Sequence, residues 1–235
     1  MTVFFDIDDT IYDRSQPFMR ACAELYLMDE SSTFQAYLAC AARGDEVFEP
    51  SQRGEISMDE MYIYRYCMGF SDIGKEITPD EALEFEKVYR RCQSSIKMSA
   101  TMETILNLAA ETFDGMGIIT NGTAKKQRSK MEALGLNRWF DEGLTVISGE
   151  VGIDKPDKRI FILAQEKANR PAERLIYIGD SLAHDIIPAA ELGWHTIWLN
   201  RRGAPAAENE AEFIAESEET LLKVISEMSS GSVRI

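Results

Sequence analysis

Thr2-Val3-Phe4-Phe5-Asp6-Ile7-Asp8-Asp9-Thr10 joins a short apolar run to a burst of carboxylates, and the chain repeats that kind of junction. Apolar runs that end in, or lead into, Asp, Asn or Gly recur at Met116–Thr120, Leu144–Ser148, Leu175–Gly179 and Trp194–Leu199. Each is nearly continuous rather than alternating, as strands buried on both faces of a parallel sheet are. Between them lie amphipathic stretches at Thr101–Glu111, Lys125–Leu134, Lys158–Ala168 and Ile186–Leu192. Strand and helix alternating in this way predict an α/β fold: a Rossmann-like parallel sheet core flanked by helices.

One interval breaks the rhythm. Residues 14–97 offer no buried strand, only helical pattern at Pro17–Leu27, Ser32–Ala42, Ser57–Met68 and Asp80–Arg91. Thr78 and Pro79 form a helix start, a capping hydroxyl followed by a proline at the first turn. An insert of this size is too long for a connection. It predicts a small α-helical domain at 14–97, inserted into a core made of 1–13 and 98–235. Gly44–Gly54 is expected to be its longest polar loop.

Composition narrows the function. Of 235 residues, 45% are apolar, enough for a packed core, and 25 basic against 40 acidic residues leave a net charge of −15. That charge repels a nucleic-acid polymer or an anionic membrane surface. No run is long and apolar enough for a membrane helix, and the opening residues lack a basic, export-type start. Cys22, Cys40, Cys67 and Cys92 form no C-x-x-C pair. They read as packing residues in a reducing cytoplasm.

In an open parallel sheet the functional crevice lies at the carboxyl ends of the strands. There the sequence delivers Asp6, Asp8 and Asp9, then Thr120-Asn121-Gly122, then Asp180 through Asp185, with Asp154-Lys155-Pro156-Asp157 opening a helix nearby. Gathered carboxylates repel one another unless a cation joins them. Asp6, Asp8, Asp180 and Asp185 are the hard oxygen set that suits Mg²⁺. Lys155 and the Thr120 hydroxyl bring donors for a substrate oxyanion. Pro156 at a first helical position is expected to set Lys155 beside a helix N-terminus.

These four segments, in this order, resemble the motifs of the haloacid dehalogenase-like superfamily. The resemblance covers Thr2–Arg14 and about 100–202, and the helical insert after the first motif looks like that family's C1-type cap. The D-I-D-D-T-I-Y-D opening is similar to the pyrimidine 5′-nucleotidase-like and sugar-phosphatase branch. The resemblance implies a Mg²⁺-dependent phosphatase that hydrolyses a small phosphorylated metabolite through an aspartyl-phosphate. Asp6 would be the nucleophile and Asp8 the general acid and base. The Asp6 and Asp180 carboxylates and the Asp8 carbonyl would hold Mg²⁺, with Asp185 acting behind them on metal-bound water. Thr120 and the N–H groups of Asn121 and Gly122 would hold phosphate oxygens, and Lys155 would offset charge.

Alternatives on the same fold are a phosphomutase, a haloacid dehalogenase and a non-catalytic phosphate-sensing module. A dehalogenase has no leaving alkoxide to protonate and no use for Asp8. Asp9 and Asp13 read as surface or hinge carboxylates, His184 as a hydrogen-bonding group of the fourth motif's loop, and His195 as a satisfied core residue. Arg201 and Arg202 read as a solvated loop. Tyr62, Tyr64 and Tyr66 alternate in a helical stretch, so at least one of them should point outward, while most aromatic residues of the insert should be core. Arg53 in the polar loop is the expected contact for the leaving group. The sequence leaves the substrate and the oligomeric state open.

Overall fold

The computed structural model describes residues 1–205 and 211–233, apart from the side chains of residues 49 and 52. Its residues divide into two compact units, Met1–Asp13 with Lys97–Ile235, and Arg14–Ile96.

Among its described residues the first unit is built on six parallel strands: β1 (Thr2–Phe5), β2 (Gly115–Thr120), β3 (Thr145–Ile147), β4 (Leu175–Gly179), β5 (His195–Leu199) and β6 (Phe213–Ala215). Their order in the sheet is β3-β2-β1-β4-β5-β6. Val3 pairs in register with Met116 on one side and Ile176 on the other, so β1 is central and buried throughout. The order reverses direction on either side of β1, and that switch point opens a crevice at the strands' carboxyl ends. Phe4 faces Trp194, Phe161 and Tyr177 on one side of the sheet, while Phe5 meets Phe140 edge-on at 5.6 Å on the other. Full burial of side chains this large contributes about 1.5–3 kcal/mol each. The edge strand β6 was not expected. It is three residues long, and only Ala215 is fully buried.

The second unit is four helices, α1 (Ser15–Leu25), α2 (Glu30–Gln52), α3 (Met58–Ser71) and α4 (Pro79–Gln93). Phe18, Tyr66, Phe70 and Phe85 form its aromatic centre, with Phe85 4.9 Å from Phe18 and 4.8 Å from Tyr66. Cys22, Cys40 and Cys92 are buried there as free thiols, and Cys67 is half-buried. A side chain on Gly69 would strike the Cys40 backbone at 2.6 Å, so glycine lets α3 lie close against α2. Thr78 caps α4 by accepting from the Glu81 N–H, with Pro79 in the first turn.

The polar loop expected at Gly44–Gly54 is a helix as far as Gln52. Asp45 and Glu46 are exposed on α2: Glu46 pairs with Arg43 one turn back and accepts from Tyr64 of α3 at 2.6 Å, and Arg43 also pairs with Asp72 just beyond α3. Polarity there marks a solvated helical face rather than irregular chain. Pro50 falls in the last turn, and Gly54 adopts a left-handed φ of 71° just beyond it.

The remaining helices of the first unit are α5 (Ala100–Thr112), α6 (Ala124–Leu134), the one-turn α7 (Ser148–Val151), α8 (Lys158–Ala168), the short α9 (Ile187–Ala190) and α10 (Glu218–Ser229). A π-helical turn, Leu182–Ile186, leads into α9. Among the described residues, no helix is long and apolar enough to cross a membrane.

Candidate active site

Asp6 is the first residue beyond β1. Its N–H donates to the Ile178 carbonyl at 3.0 Å, extending the sheet by one bond before the chain turns. Ile7 is completely buried and anchors that turn. Residues two apart on an extended segment share a face, but the chain bends at Ile7 and enters a turn at Asp9, so the carboxylates of Asp6 and Asp8 part company. Asp6 joins Asp180 and Asp185, whose ligand oxygens all lie within 4.8 Å of one another. The Asp8 carboxylate accepts instead from the Tyr12 hydroxyl at 2.6 Å, from Gln127 Nε2 at 3.0 Å and from Lys130 Nζ at 2.7 and 2.6 Å.

Lys155 is buried between Asp185, 2.6 Å from its Nζ, and Asp6, 3.0 Å away, with Tyr177 Oη at 3.0 Å. Tyr177 donates in turn to the Ile119 carbonyl at 2.8 Å. Burial works against the charge on Lys155, yet Asp185, Asp6 and Tyr177 hold its pKa well above the usual lysine value. Burial pushes Asp6 up from 3.8 to about 6; Lys155 opposes that shift, and Asp185 and Asp8 add to it. Burial also raises Asp180, helped by the neighbouring charges of Asp185, Asp6 and Asp9. A side chain on Gly179 would overlap the Asp185 carboxylate at 2.4 Å, so the glycine ending β4 is what lets Asp185 tuck in. Asp185 Oδ2 also accepts from the Ser181 N–H at 3.0 Å.

Thr120, at the end of β2, is fully buried, and its hydroxyl accepts from Gln127 Nε2 at 2.7 Å. The Asn121 side chain brackets the Lys155 backbone, donating to its carbonyl at 2.9 Å and accepting from its N–H at 2.8 Å. The Gly122 N–H, expected to face a phosphate oxygen, donates to Ser148 Oγ at 2.9 Å. Ser148 thereby fixes the loop from outside.

Two further expectations need correction. Helix α8 starts at Lys158 with Asp157 as its cap, so Pro156 is not its first residue and Lys155 stands three residues ahead of it. The charge on Lys155 is therefore set by Asp185 and Asp6 rather than by a helix end. Arg201 and Arg202 do lie in a turn, with Arg202 exposed, but both are engaged. Arg201 pairs with Glu218 at 2.7 Å and donates to the Thr10 carbonyl at 2.7 Å, and Arg202 bridges Asp9 and Asp13 at 2.8 and 2.9 Å. Asp9 is accordingly buried rather than a surface carboxylate, and it adopts a left-handed φ of 57°. Beside this clip opens a cavity of about 280 Å³ lined by Asp9, Asp180, Ser181, Trp198, Asn200 and Arg202 among others. His184 Nδ1 lies 3.1 Å from Ser181 Oγ, inside the fourth loop, and His195 is satisfied by Glu212 and the Glu173 carbonyl. In the helical unit Arg53 is exposed and paired with Glu55 at 2.5 Å.

Sequence reading missed Tyr177, Gln127, Lys130 and Ser148. Tyr177 was hidden inside an apolar strand. Gln127 and Lys130 carried a readable signal: they stand three apart, on one face of the helix that opens after Thr120-Asn121-Gly122.

The three carboxylates offer hard oxygen ligands in a half-dry pocket where burial and mutual repulsion raise two of them, and a divalent cation relieves that repulsion. The donor set fits such an ion.

Residues 1–193 match the family model for haloacid dehalogenase-like hydrolases. Pyrimidine 5′-nucleotidase YjjG of Escherichia coli is 44% identical over 86 residues, which span 36% of this chain and 37% of that protein. Glyceraldehyde 3-phosphate phosphatase of Methanothermobacter thermautotrophicus is 27% identical over 218 residues, 89% of this chain and 90% of that one. The fold aligns with the crystal structure of YfnB from Bacillus subtilis bound to magnesium at a TM-score of 0.69 and 22% identity, covering 95% and 97% of the two chains. A family match running from β1 through the fourth acidic loop takes in the strand ends that carry Asp6, Thr120 and Asp180, and the chain belongs to the haloacid dehalogenase-like hydrolases.

Proposed function

We propose that the protein is a Mg²⁺-dependent phosphomonoesterase acting on a small phosphorylated metabolite, a nucleotide or a sugar phosphate. The observation that carries this reading is Asp6, a buried carboxylate held 3.0 Å from the Lys155 ammonium inside the acidic cluster. The relatives named for nucleotidase and triose-phosphate phosphatase activity support the substrate class.

In the proposed reaction an Asp6 oxygen attacks phosphorus, and the bond from phosphorus to the ester oxygen breaks. Asp8 gives the leaving alkoxide its proton, then takes one from the water that attacks the aspartyl-phosphate, which frees inorganic phosphate and restores Asp6. Lys155 and the Thr120 hydroxyl stabilise charge on the phosphoryl oxygens, with the Asn121 N–H beside them. The Asp6 and Asp180 carboxylates and the Asp8 carbonyl would hold Mg²⁺, and Asp185 would act behind them. Bound there, the ion supplies positive charge to offset that of carboxylate and phosphoryl group together. The helical unit would serve as the cap that excludes water, with Arg53 reading the leaving group. The free thiols Cys22, Cys40, Cys67 and Cys92 support a reducing, cytoplasmic setting.

The test is phosphate release from a panel of nucleotide and sugar phosphates with Mg²⁺, with and without chelator, for the native protein and Asp6→Asn. The expected result is chelator-sensitive turnover on a subset of esters and none in the variant. Full turnover by Asp6→Asn would sink the mechanism; halide release from a 2-haloacid in place of phosphate release would sink the reaction class.

A further inference from the structure

Asp8 stands in a cradle that the acidic cluster does not supply. Lys130 Nζ lies across both of its oxygens at 2.7 and 2.6 Å, Gln127 Nε2 meets Oδ2 at 3.0 Å, and the Tyr12 hydroxyl donates to Oδ1 at 2.6 Å. The Lys130 and Asp8 side chains are only 16% and 18% exposed. An exposed lysine–aspartate pair contributes little to stability, but one this secluded, sharing its carboxylate with two other donors, fixes an orientation. Gln127 Nε2 also lies 2.7 Å from both Thr120 Oγ1 and the Asn121 carbonyl, so its two hydrogens are shared among three acceptors. One face of α6 thus grips both Asp8 and the Thr120-Asn121 loop. Lys130 makes its hydrogen bonds to Asp8, whereas Asp6 and Asp185 are served by Lys155.

We propose that Lys130 is the positioning residue of Asp8: seated across both carboxylate oxygens, it fixes where the acid–base group stands relative to the loop formed by Thr120 and Asn121. The inference rests on the proposed phosphatase reading, in which Asp8 handles the leaving-group proton. Lys130 acts through Asp8, and its contribution therefore follows the demand for that proton. An alkoxide needs one to depart, whereas p-nitrophenolate leaves readily without one.

The experiment measures kcat/KM, which reports the transfer to Asp6, for p-nitrophenyl phosphate and for the best alkyl phosphate of the metabolite panel. The proteins are wild type, Lys130→Met, Lys130→Arg, Asp8→Asn and the Asp8→Asn/Lys130→Met double variant, each with saturating Mg²⁺ and a measured Tm. Lys130→Met is expected to lose roughly 30-fold or more on the alkyl ester and about threefold or less on p-nitrophenyl phosphate. Lys130→Arg, which keeps a cation able to span a carboxylate, recovers most of that loss. In the Asp8→Asn background, Lys130→Met costs no more than about a further twofold, because the two residues act as a unit. Equal losses on both esters, or full additivity with Asp8→Asn, would overturn the proposal and leave Lys130 a staple for α6. Should Lys130→Met lack a cooperative unfolding transition, Lys130→Gln is held to the same two criteria. A wild type that turns over no phosphate ester would instead overturn the phosphatase reading, and this inference with it.

Discussion

Asp185 holds the amine that holds Asp6: Lys155 Nζ is 2.6 Å from Asp185 and 3.0 Å from Asp6, all three side chains buried. Both pairs run through one nitrogen, which Tyr177 also contacts. The strand-four loop therefore acts on the strand-one carboxylate through the third motif's lysine, and the acidic cluster is wired internally before any ligand enters.

Asp185→Asn removes the nearer of the two charges that keep Lys155 in place. The expected cost is about 10- to 100-fold in kcat/KM, the usual range for a group behind the first layer of ligands. Asp180→Ala should weaken Mg²⁺ activation more than Asp185→Asn does, because Asp185 is already occupied by Lys155 and the Ser181 N–H. Mg²⁺ titrations of activity compare the two. Equal and negligible shifts in half-saturation would refute the division of roles.

The raised pKa of Asp6 makes a stability prediction with a definite sign. Its carboxyl titrates near 6 in the folded protein against 3.8 ordinarily, so the folded state binds that proton more tightly than the unfolded chain. The stability contributed by the protonated form is complete below about pH 4 and is lost as pH rises through 6. Above that, ionised Asp6 costs the metal-free fold on the order of 2–3 kcal/mol. Metal-free Asp6→Asn should accordingly melt several degrees above wild type at pH 7.5 and close to it at pH 4.5. Saturating Mg²⁺ should raise the wild-type Tm at pH 7.5 and do less for the variant. A variant melting at or below wild type at pH 7.5 would mean that Lys155 already compensates the charge.

Arg53 forms a surface pair with Glu55, both side chains more than half exposed. Such pairs contribute about 0–1 kcal/mol. Arg53→Ala should thus leave Tm within about 2 °C of wild type, so any change in substrate preference can be read without a folding artefact. If Arg53 meets the leaving group, kcat/KM ratios among metabolite phosphates change while p-nitrophenyl phosphate and Mg²⁺ dependence do not. Unchanged ratios would move specificity to other residues of the helical unit.

Five of the six strands were legible because runs such as Leu175–Gly179 are buried on both faces and carry no competing period. Phe213–Ala215 was not, since three residues with one buried side chain make no pattern. Asp6, Asp180 and Asp185 could be read as neighbours because strand ends of a parallel sheet converge by topology alone. What stayed hidden depended on side-chain direction. Sequence spacing cannot tell that Asp8 turns to Lys130 while Asp6 turns to Lys155, or that Arg202 reaches back across the fold to Asp9 and Asp13. The charged stretch 44–54 misled for a related reason, because a solvated helical face and a loop share a composition.

Tyr177 tests whether the buried network positions Lys155 or merely fills space. Its ring packs edge-on against Phe161 at 5.2 Å, and its hydroxyl accepts from Lys155 and donates to the Ile119 carbonyl. Tyr177→Phe keeps the ring and removes only the oxygen. The Ile119 carbonyl then loses a buried donor, a loss of about 1–2 kcal/mol, read as a Tm lowered by about 2–8 °C. Lys155 keeps Asp185 and Asp6 and stays charged, so catalysis should survive. With one of its three anchors gone, the amine would be less well aimed at the phosphoryl oxygens of the proposed reaction, and kcat should fall about 3- to 10-fold with KM nearly constant if that contact strengthens in the transition state. Steady-state kinetics on p-nitrophenyl phosphate well below the variant's Tm separate the two effects. A lowered Tm with unchanged kcat would make Tyr177 a packing residue. A kcat loss as large as that of Lys155→Ala would mean that the hydroxyl, and not Asp185, is what holds the amine in place.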